Sequence, residues 1–286
     1  MKAVSTFSIV ARDPASGDLG VATASKFLAV GAVVPVAQAG VGAIATQSYA
    51  NTSFGPRTLA ALAHGIPLQL IHQAFAQTDA QHALRQYGLV DKDGHSLSFT
   101  GAECHPWAGG VSGDNYAAQG NLLVGPEVID QLVTAFVAGR QDFPERLLAA
   151  LSAGDAAGGD KRGRQSAALL VVRQAGGYGG LNDRYIDLRV DDHPDPVAEL
   201  GRLLKLHRLY FEPPRPENRL PITGEVASRL RAVLLRAGYL TGTSSDWDEA
   251  ADQALRHLAG VENLEERLLE PGWVDRVVLE HLEANT

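Results

Sequence analysis

Small, β-branched and apolar residues fill positions 6–11 and 20–25, and between them Asp13, Pro14, Ser16, Gly17 and Asp18 supply turn chemistry, so the chain is expected to open with a β-hairpin. Positions 32–37 and 41–46 are too apolar for a water-facing surface and read as strands of a buried sheet. The period then changes. Leu59, Leu62 and Ala63, and past Gly65 and Pro67 also Leu70, Ile71, Ala74 and Phe75, recur at three- and four-residue steps, predicting two helices. Strand patterns return at 85–90 and 96–100 around the turn Asp91-Lys92-Asp93-Gly94, followed by a Gly-rich loop and a short strand at 116–120. Val128, Leu132 and Phe136 mark a further helix, Leu147, Leu148 and Leu151 the next, positions 166–172 and 185–190 two more strands, and 196–211 a helix. Blocks of strands and helices, with hairpins between neighbours, predict an α+β domain of antiparallel sheets covered by helices; a four-layer sandwich is compatible with this order.

Glu212-Pro213-Pro214-Arg215-Pro216-Glu217-Asn218 is proline-rich and expected to be stiff, which places a domain boundary there: 1–211, a linker at 212–220, and 221–286. Beyond it, Val226, Leu230, Val233 and Leu234, then Ala250, Ala254, Leu255 and Leu258, then Val274, Val277, Val278 and Leu282, define three helices of a small all-α module.

The 286 residues exceed one ordinary domain, in keeping with two parts. No apolar run reaches the roughly 18 residues of a membrane helix, and no export signal is visible at the start, so a cytoplasmic chain without a membrane partner is expected. A single cysteine, Cys104, excludes an internal disulfide and a multi-cysteine metal site. The net charge of −8 lacks the basic footprint that nucleic acid requires.

Several segments resemble, in order, the DUF1028 family of N-terminal-nucleophile (Ntn) hydrolase-like proteins: residues 5–13, 20–31, Thr46-Gln47-Ser48, Phe99-Thr100-Gly101, Cys104 with Trp107, Gln119-Gly120-Asn121, 158–171 and 187–194. The resemblance spans nearly the whole first part. It implies the αββα sandwich of Ntn hydrolases, in which an N-terminal Thr, Ser or Cys attacks an amide with its own α-amine as base. Residues 229–239, Gly242, Trp247-Asp248, Ala254-Leu255 and 263–267 are similar to the peptidoglycan-binding-like domain that follows some DUF1028 domains. A peptidoglycan fragment is therefore one expected partner, against which stands the missing export signal. The resemblance also implies a homo-oligomer.

The chemistry needs a hydroxyl beside an amine of near-neutral pKa, and an α-amine at about 7.7–8.0 suits this better than a lysine. Thr6 is the candidate nucleophile. In many members of the family it resembles, this threonine directly follows the initiator methionine, whereas Met1-Lys2-Ala3-Val4-Ser5 precede it here and lock its amine in a peptide bond. Lys26, after a buried strand, is the candidate electrostatic partner for Thr6 or Ser25, and Asn121, entering a turn after Gln119, the candidate oxyanion donor. Asp160, Arg164, Gln165 and Ser166 crowd polar groups at the mouth of an apolar strand and, with Ser25, Gln47 and Gln119, form the expected substrate-binding set. Asp191-Asp192-His193-Pro194-Asp195 is explained by capping of the following helix without a metal, and Cys104 beside His105 by burial of a small side chain. No cofactor and no metal are expected. The first reading is hydrolysis of an amide or peptide-like bond in a small-molecule or peptide-like ligand; the alternative is a noncatalytic small-molecule binding or scaffold protein on the Ntn fold.

Overall fold

The computed structural model describes Val4, residues 6–242 and residues 246–286. Ser5, whose carbonyl acylates the Thr6 amine, lies outside the described residues. The molecule has two compact units, residues 1–203 and 204–286.

In the first unit, β1 (Thr6–Arg12) and β2 (Leu19–Ser25) form the expected hairpin, with Gly17 at φ 79° in the turn between them. They lie inside an antiparallel six-stranded sheet of order β10-β9-β2-β1-β8-β7, where β7 is Ala108–Gly113, β8 Tyr116–Asn121, β9 Ser166–Val172 and β10 Arg184–Val190. The second sheet is four-stranded, β3-β4-β5-β6, with β3 Pro35–Gln38, β4 Gly42–Ser48, β5 Arg85–Asp91 and β6 Ser96–Thr100. Val10, Leu19 and Val21 of the first sheet share one buried apolar cluster with Ala43, Ala45 and Val90 of the second, so the sheets have a common core.

Side chains alternate along each strand, and the opposite faces meet helices. Against the six-stranded sheet lie α3 (Glu127–Ala138) and α4 (Phe143–Ala156); a Cβ on Gly20 of β2 would stand 2.6 Å from Leu147 Cδ1, so the approach of α4 depends on that glycine. Against the four-stranded sheet lie α1 (Phe54–Ala63) and α2 (Leu68–Thr78), where Phe54 stacks on Phe75 at 3.8 Å and both meet the Tyr87 ring edge-on. Burying each such ring stabilises the fold by about 1.5–3 kcal/mol.

Two local expectations change. Positions 30–32 form a short 3-10 turn instead of the start of the third strand, which begins at Pro35. The Gly-rich stretch expected as a loop is strand β7, paired with β8 in the register Val111↔Ala118. Its Ala-Gly-Gly-Val-Ser-Gly sequence carries no alternation, yet a Cβ on Gly110 would stand 2.4 Å from Ser98 Oγ, so crowding by β6 and β8 selects the small residues.

The helix α5 (Pro196–Phe211) matches its expected span, but the division between the units falls inside it, after Leu203, and not at the Pro-rich linker. The reason is burial: Leu209 belongs to the core of the second unit together with Leu230, Leu234, Leu255, Leu258 and Leu279. That unit contains α6 (Gly224–Arg236), α7 (Glu249–Val261) and α8 (Arg276–Asn285). It is not purely helical, because β11 (Arg219–Pro221) pairs with β12 (Trp273–Asp275). The buried Arg267 guanidinium donates to the carbonyls of Arg208 and Leu209 at 2.6 and 3.0 Å and to Asp275 Oδ2 at 2.6 Å, tying the end of α5 to the start of α8. No helix among the described residues is long and apolar enough to cross a membrane.

Candidate functional site

Strand register gathers the chemistry at one end of the first unit. Thr6 pairs with Ser25 and Ser25 with Ser166, so β1, β2 and β9 set three hydroxyl residues side by side in one row, where directly opposed Cβ atoms are about 4.5–5.5 Å apart. Asn121 ends β8 next to them, and Ser48, Arg85 and Thr100 end or begin the neighbouring strands of the second sheet.

Between the sheets, the apolar core gives way at this end to a buried polar layer. The Ser8 hydroxyl donates to Gln47 Oε1 at 2.6 Å and accepts from Gln119 Nε2 at 2.7 Å. Gln47 Nε2 donates to the Thr6 carbonyl at 3.1 Å and to Gln86 Oε1 at 2.9 Å. Gln86 Oε1 also accepts from Asn121 Nδ2 at 2.9 Å, and Gln86 Nε2 donates to the Gly120 carbonyl at 2.7 Å. Gly88 makes room for this layer, since a Cβ there would stand 2.0 Å from Gln119 Oε1. Ser8, Gln47, Gln86, Gln119 and Asn121 are all fully buried. The amide nitrogens of the layer and the oxygens of Gln47 and Gln86 are paired, whereas Gln119 Oε1 and Asn121 Oδ1 have no partner among the described residues, a cost of about 1–3 kcal/mol each.

Thr6 sits at the edge of that layer with no exposed surface. Its hydroxyl donates to the Val4 carbonyl at 3.0 Å. Val4 itself bridges to Ser48 of β4, the Val4 amide donating to the Ser48 carbonyl at 2.5 Å and the Ser48 amide to the Val4 carbonyl at 2.9 Å. Val4 thus engages the Thr6 hydroxyl through its carbonyl and bridges to the second sheet.

The other expected residues divide into two groups. Gln47, Gln119 and Asn121 belong to the buried layer, although the Asn121 amide donor expected to face an oxyanion is already committed to Gln86. Lys26 is exposed; its ammonium donates to the Arg164 carbonyl at 3.1 Å, and its backbone amide to Asp160 Oδ2 at 3.0 Å, so it braces the outer loop instead of turning inward to Thr6. Asp160 is buried and saturated, accepting also from the Arg162 backbone amide at 2.9 Å and from its guanidinium at 2.7 Å. Arg164 is ion-paired to Asp155 at 2.8 Å. Gln165 donates to Asp192 at 3.0 Å, and the Ser166 hydroxyl accepts from the Val30 amide at 3.1 Å while donating to the Phe27 carbonyl, which fixes the turn after β2.

A cavity of about 360 Å³ opens on the α4 side of this end, lined by Phe7, Ser25, Asp155, Asp160, Arg164 and Pro196 among others. Asp155 and Arg164 of its lining pair with each other, and Asp160 pairs with Arg162 outside it.

Cys104 does not act with His105. Burial pushes its thiol pKa up and Sγ lies 3.4 Å from the Arg85 carbonyl, while His105 Nε2 faces the Tyr49 hydroxyl at 3.4 Å. Gln86 is the residue that sequence reasoning missed. A partial signal was present, a glutamine directly ahead of the apolar run 87–90, but its register with Gln47 is set only by the pairing of β4 with β5.

Residues 6–200 match the family model described as "Family of unknown function (DUF1028)", and residues 210–282 match a second, described as "Putative peptidoglycan binding domain". A crystal structure of a Silicibacter pomeroyi protein assigned to the DUF1028 model is similar with a TM-score of 0.65 and 32% sequence identity, covering 78% of this chain and 92% of that one. No curated protein matches the chain. With most of its length matched by one model, the chain belongs to the DUF1028 family, a family of unknown function.

Proposed function

We propose that the first unit is a four-layer αββα sandwich of the Ntn-hydrolase type that binds a small amide- or peptide-like molecule, at the end where Thr6, Ser25, Asp160 and Arg164 meet, without hydrolysing it. The observation that carries this reading is the closed Thr6: buried, with its hydroxyl on Val4 and its amine acylated, it has neither a base nor access to a scissile bond. The neighbouring cavity and the paired ions around it supply the binding surface.

Hydrolysis is the second reading, and one observation favours it. Thr6 begins its strand beside a set of amide donors, with Gln47 Nε2 already on its carbonyl, so hydrolysis of the peptide bond ahead of it, with water supplying the new carboxylate oxygen and the amine proton, would give a free amine and hydroxyl beside that layer. In this reading Thr6 is the nucleophile, and Asn121 and Lys26 reorganise to become oxyanion donor and electrostatic partner.

Intact-mass analysis combined with thermal-shift screening against amides, acylated amino acids and muropeptides separates the two. The binding reading expects stabilisation by a ligand that is recovered unchanged from a chain retaining the residues ahead of Thr6. Turnover of any bound amide overturns it, and turnover lost in Thr6→Ala assigns the nucleophile. The second unit is read as the accessory that engages a peptidoglycan fragment. Muropeptide stabilisation confined to the full chain, and absent from residues 1–211, supports that part; a cytoplasmic chain would not meet this ligand, so fractionation of cells tests the two placements against each other.

A further inference from the structure

The six-stranded sheet ends at β10, which pairs with β9 alone. Past an irregularity between Arg184 and Ile186, residues 186–190 run in unbroken register with β9. Their alternate N–H and C=O groups therefore point away from the sheet, where they have no backbone partner among the described residues. Open edges are ordinarily blunted by lysines, by proline or by a covering segment. β10 has no proline, and its charges alternate in sign: Arg184, Asp187 and Arg189, all exposed, followed by Asp191 and Asp192. Between them Ile186 and Val190 are buried and Leu188 is half-buried.

We propose that β10 pairs antiparallel with β10 of a second copy of this chain, about a two-fold axis at Leu188, so that two six-stranded sheets become one. Charge selects this register. About Leu188, Asp187 stands opposite Arg189 of the copy and Arg189 opposite Asp187, with Ile186 opposite Val190 and Leu188 against itself. The same axis brings Arg184 toward the acidic pair Asp191 and Asp192. Moving the axis by one residue opposes Asp187 to Asp187 or Arg189 to Arg189, and like charges directly opposite are destabilising. A two-fold contact must be complementary to itself, and the order of signs along β10 meets that condition.

The side chains are placed for such a contact. The Arg189 stem lies against Gly31, where a Cβ would stand 2.7 Å from Arg189 Cγ and Cδ, so its direction is fixed while 47% of the side chain stays exposed. Asp187 pairs with Arg184 and lies 3.7 Å from Arg189 within the chain. Exposed ion pairs of this kind are weak, so they exchange for partners across the axis at little cost. The loop leading into β10 adds apolar area, with Tyr178 82% and Leu181 88% exposed. It is braced by the Gly177 amide on the Asn182 carbonyl at 2.8 Å and the Ala175 amide on Asp183 Oδ1 at 3.0 Å, which holds both side chains outward.

The test is the oligomeric state of the full chain by analytical ultracentrifugation, with two charge reversals. The natural chain should dimerise at micromolar concentration. Asp187→Arg and Arg189→Asp should each weaken the dimer by about tenfold or more, since each turns two attractive cross-strand pairs into repulsive ones. An equimolar mixture of the two variants should recover a dimer, seen as a heterodimer in native mass spectrometry, because only the mixed pair opposes unlike charges at both positions. A natural chain that stays monomeric at high micromolar concentration would leave the edge to another occupant and overturn the proposal. A dimer indifferent to both reversals, or a mixture that fails to pair, would overturn it as well. If Asp187→Arg does not fold, Arg189→Asp decides alone by whether it weakens the dimer.

Discussion

The Ser8 hydroxyl of one sheet donates to Gln47 Oε1 of the other at 2.6 Å, and through this pair the two sheets are joined by polar chemistry at the end where their shared apolar core stops. A hydrogen bond between groups without exposed surface fixes how the sheets face each other more narrowly than apolar contact does, because each amide must find its partner or remain desolvated.

Gln47→Leu therefore leaves Ser8, the Thr6 carbonyl and Gln86 short of partners while preserving side-chain size. The expected loss is about 2–4 kcal/mol, read as a lower denaturant midpoint at unchanged slope. A loss below about 0.5 kcal/mol would mean that the layer rearranges freely around an apolar side chain.

Acid should weaken the first unit at the Asp79–Arg85 pair. The Arg85 guanidinium, donating to Asp79 at 2.8 Å, holds the Asp79 carboxyl well below its ordinary value. Because the folded-state pKa is depressed, the stabilisation is fully present above the unfolded value of about 3.9 and is lost as pH falls below it. Asp79→Asn should cost about 2 kcal/mol at neutral pH, and its melting temperature should converge on that of the natural chain in strong acid. A difference that persists unchanged there would assign the effect to packing.

In the second unit, Arg267→Met removes a guanidinium that is 5% exposed from an Asp275 side chain that is fully buried. It also strips the donors from the last carbonyls of α5. Breaking a buried pair on one side costs about 3–5 kcal/mol, so the transition of this unit should fall markedly. Arg267→Met combined with Asp275→Leu should recover part of the loss, which calorimetry of both variants would reveal.

A chain ended after Phe211 should keep the sheets and the buried amide layer, because every residue of that layer precedes α5. Two-dimensional NMR spectra of the shortened and full chains should overlay for the sheet residues. Loss of that dispersion would show that the second unit is needed to complete the first. Separately expressed residues 221–286 should be less stable than the second unit in the full chain, since they lack Leu209, which is part of its core.

The small, β-branched and apolar residues of β1, β2 and β9, and the three- and four-residue spacing in α1 to α5, follow from local sterics and burial, so these elements were legible along the chain, and three spans were legible to the residue: Ser96–Thr100, Ser166–Val172 and Pro196–Phe211. The sequence also named Thr6, Ser25, Gln47, Gln119, Asn121, Asp160, Arg164, Gln165 and Ser166. What it could not contain was their arrangement. The row Thr6, Ser25, Ser166 depends on the registers of strands far apart in the chain, and the meeting of Gln47 with Ser8, Gln86 and Gln119 depends on which faces of two sheets oppose each other. For the same reason Lys26, persuasive beside an apolar strand, turned out to brace an outer loop. Strand β7 and the β11–β12 pairing also stayed hidden, because Ala-Gly-Gly-Val-Ser-Gly and three-residue segments become strands only when a partner supplies their hydrogen bonds. Periodicity is a property of neighbours in sequence, and a site built between two sheets is a property of neighbours in space.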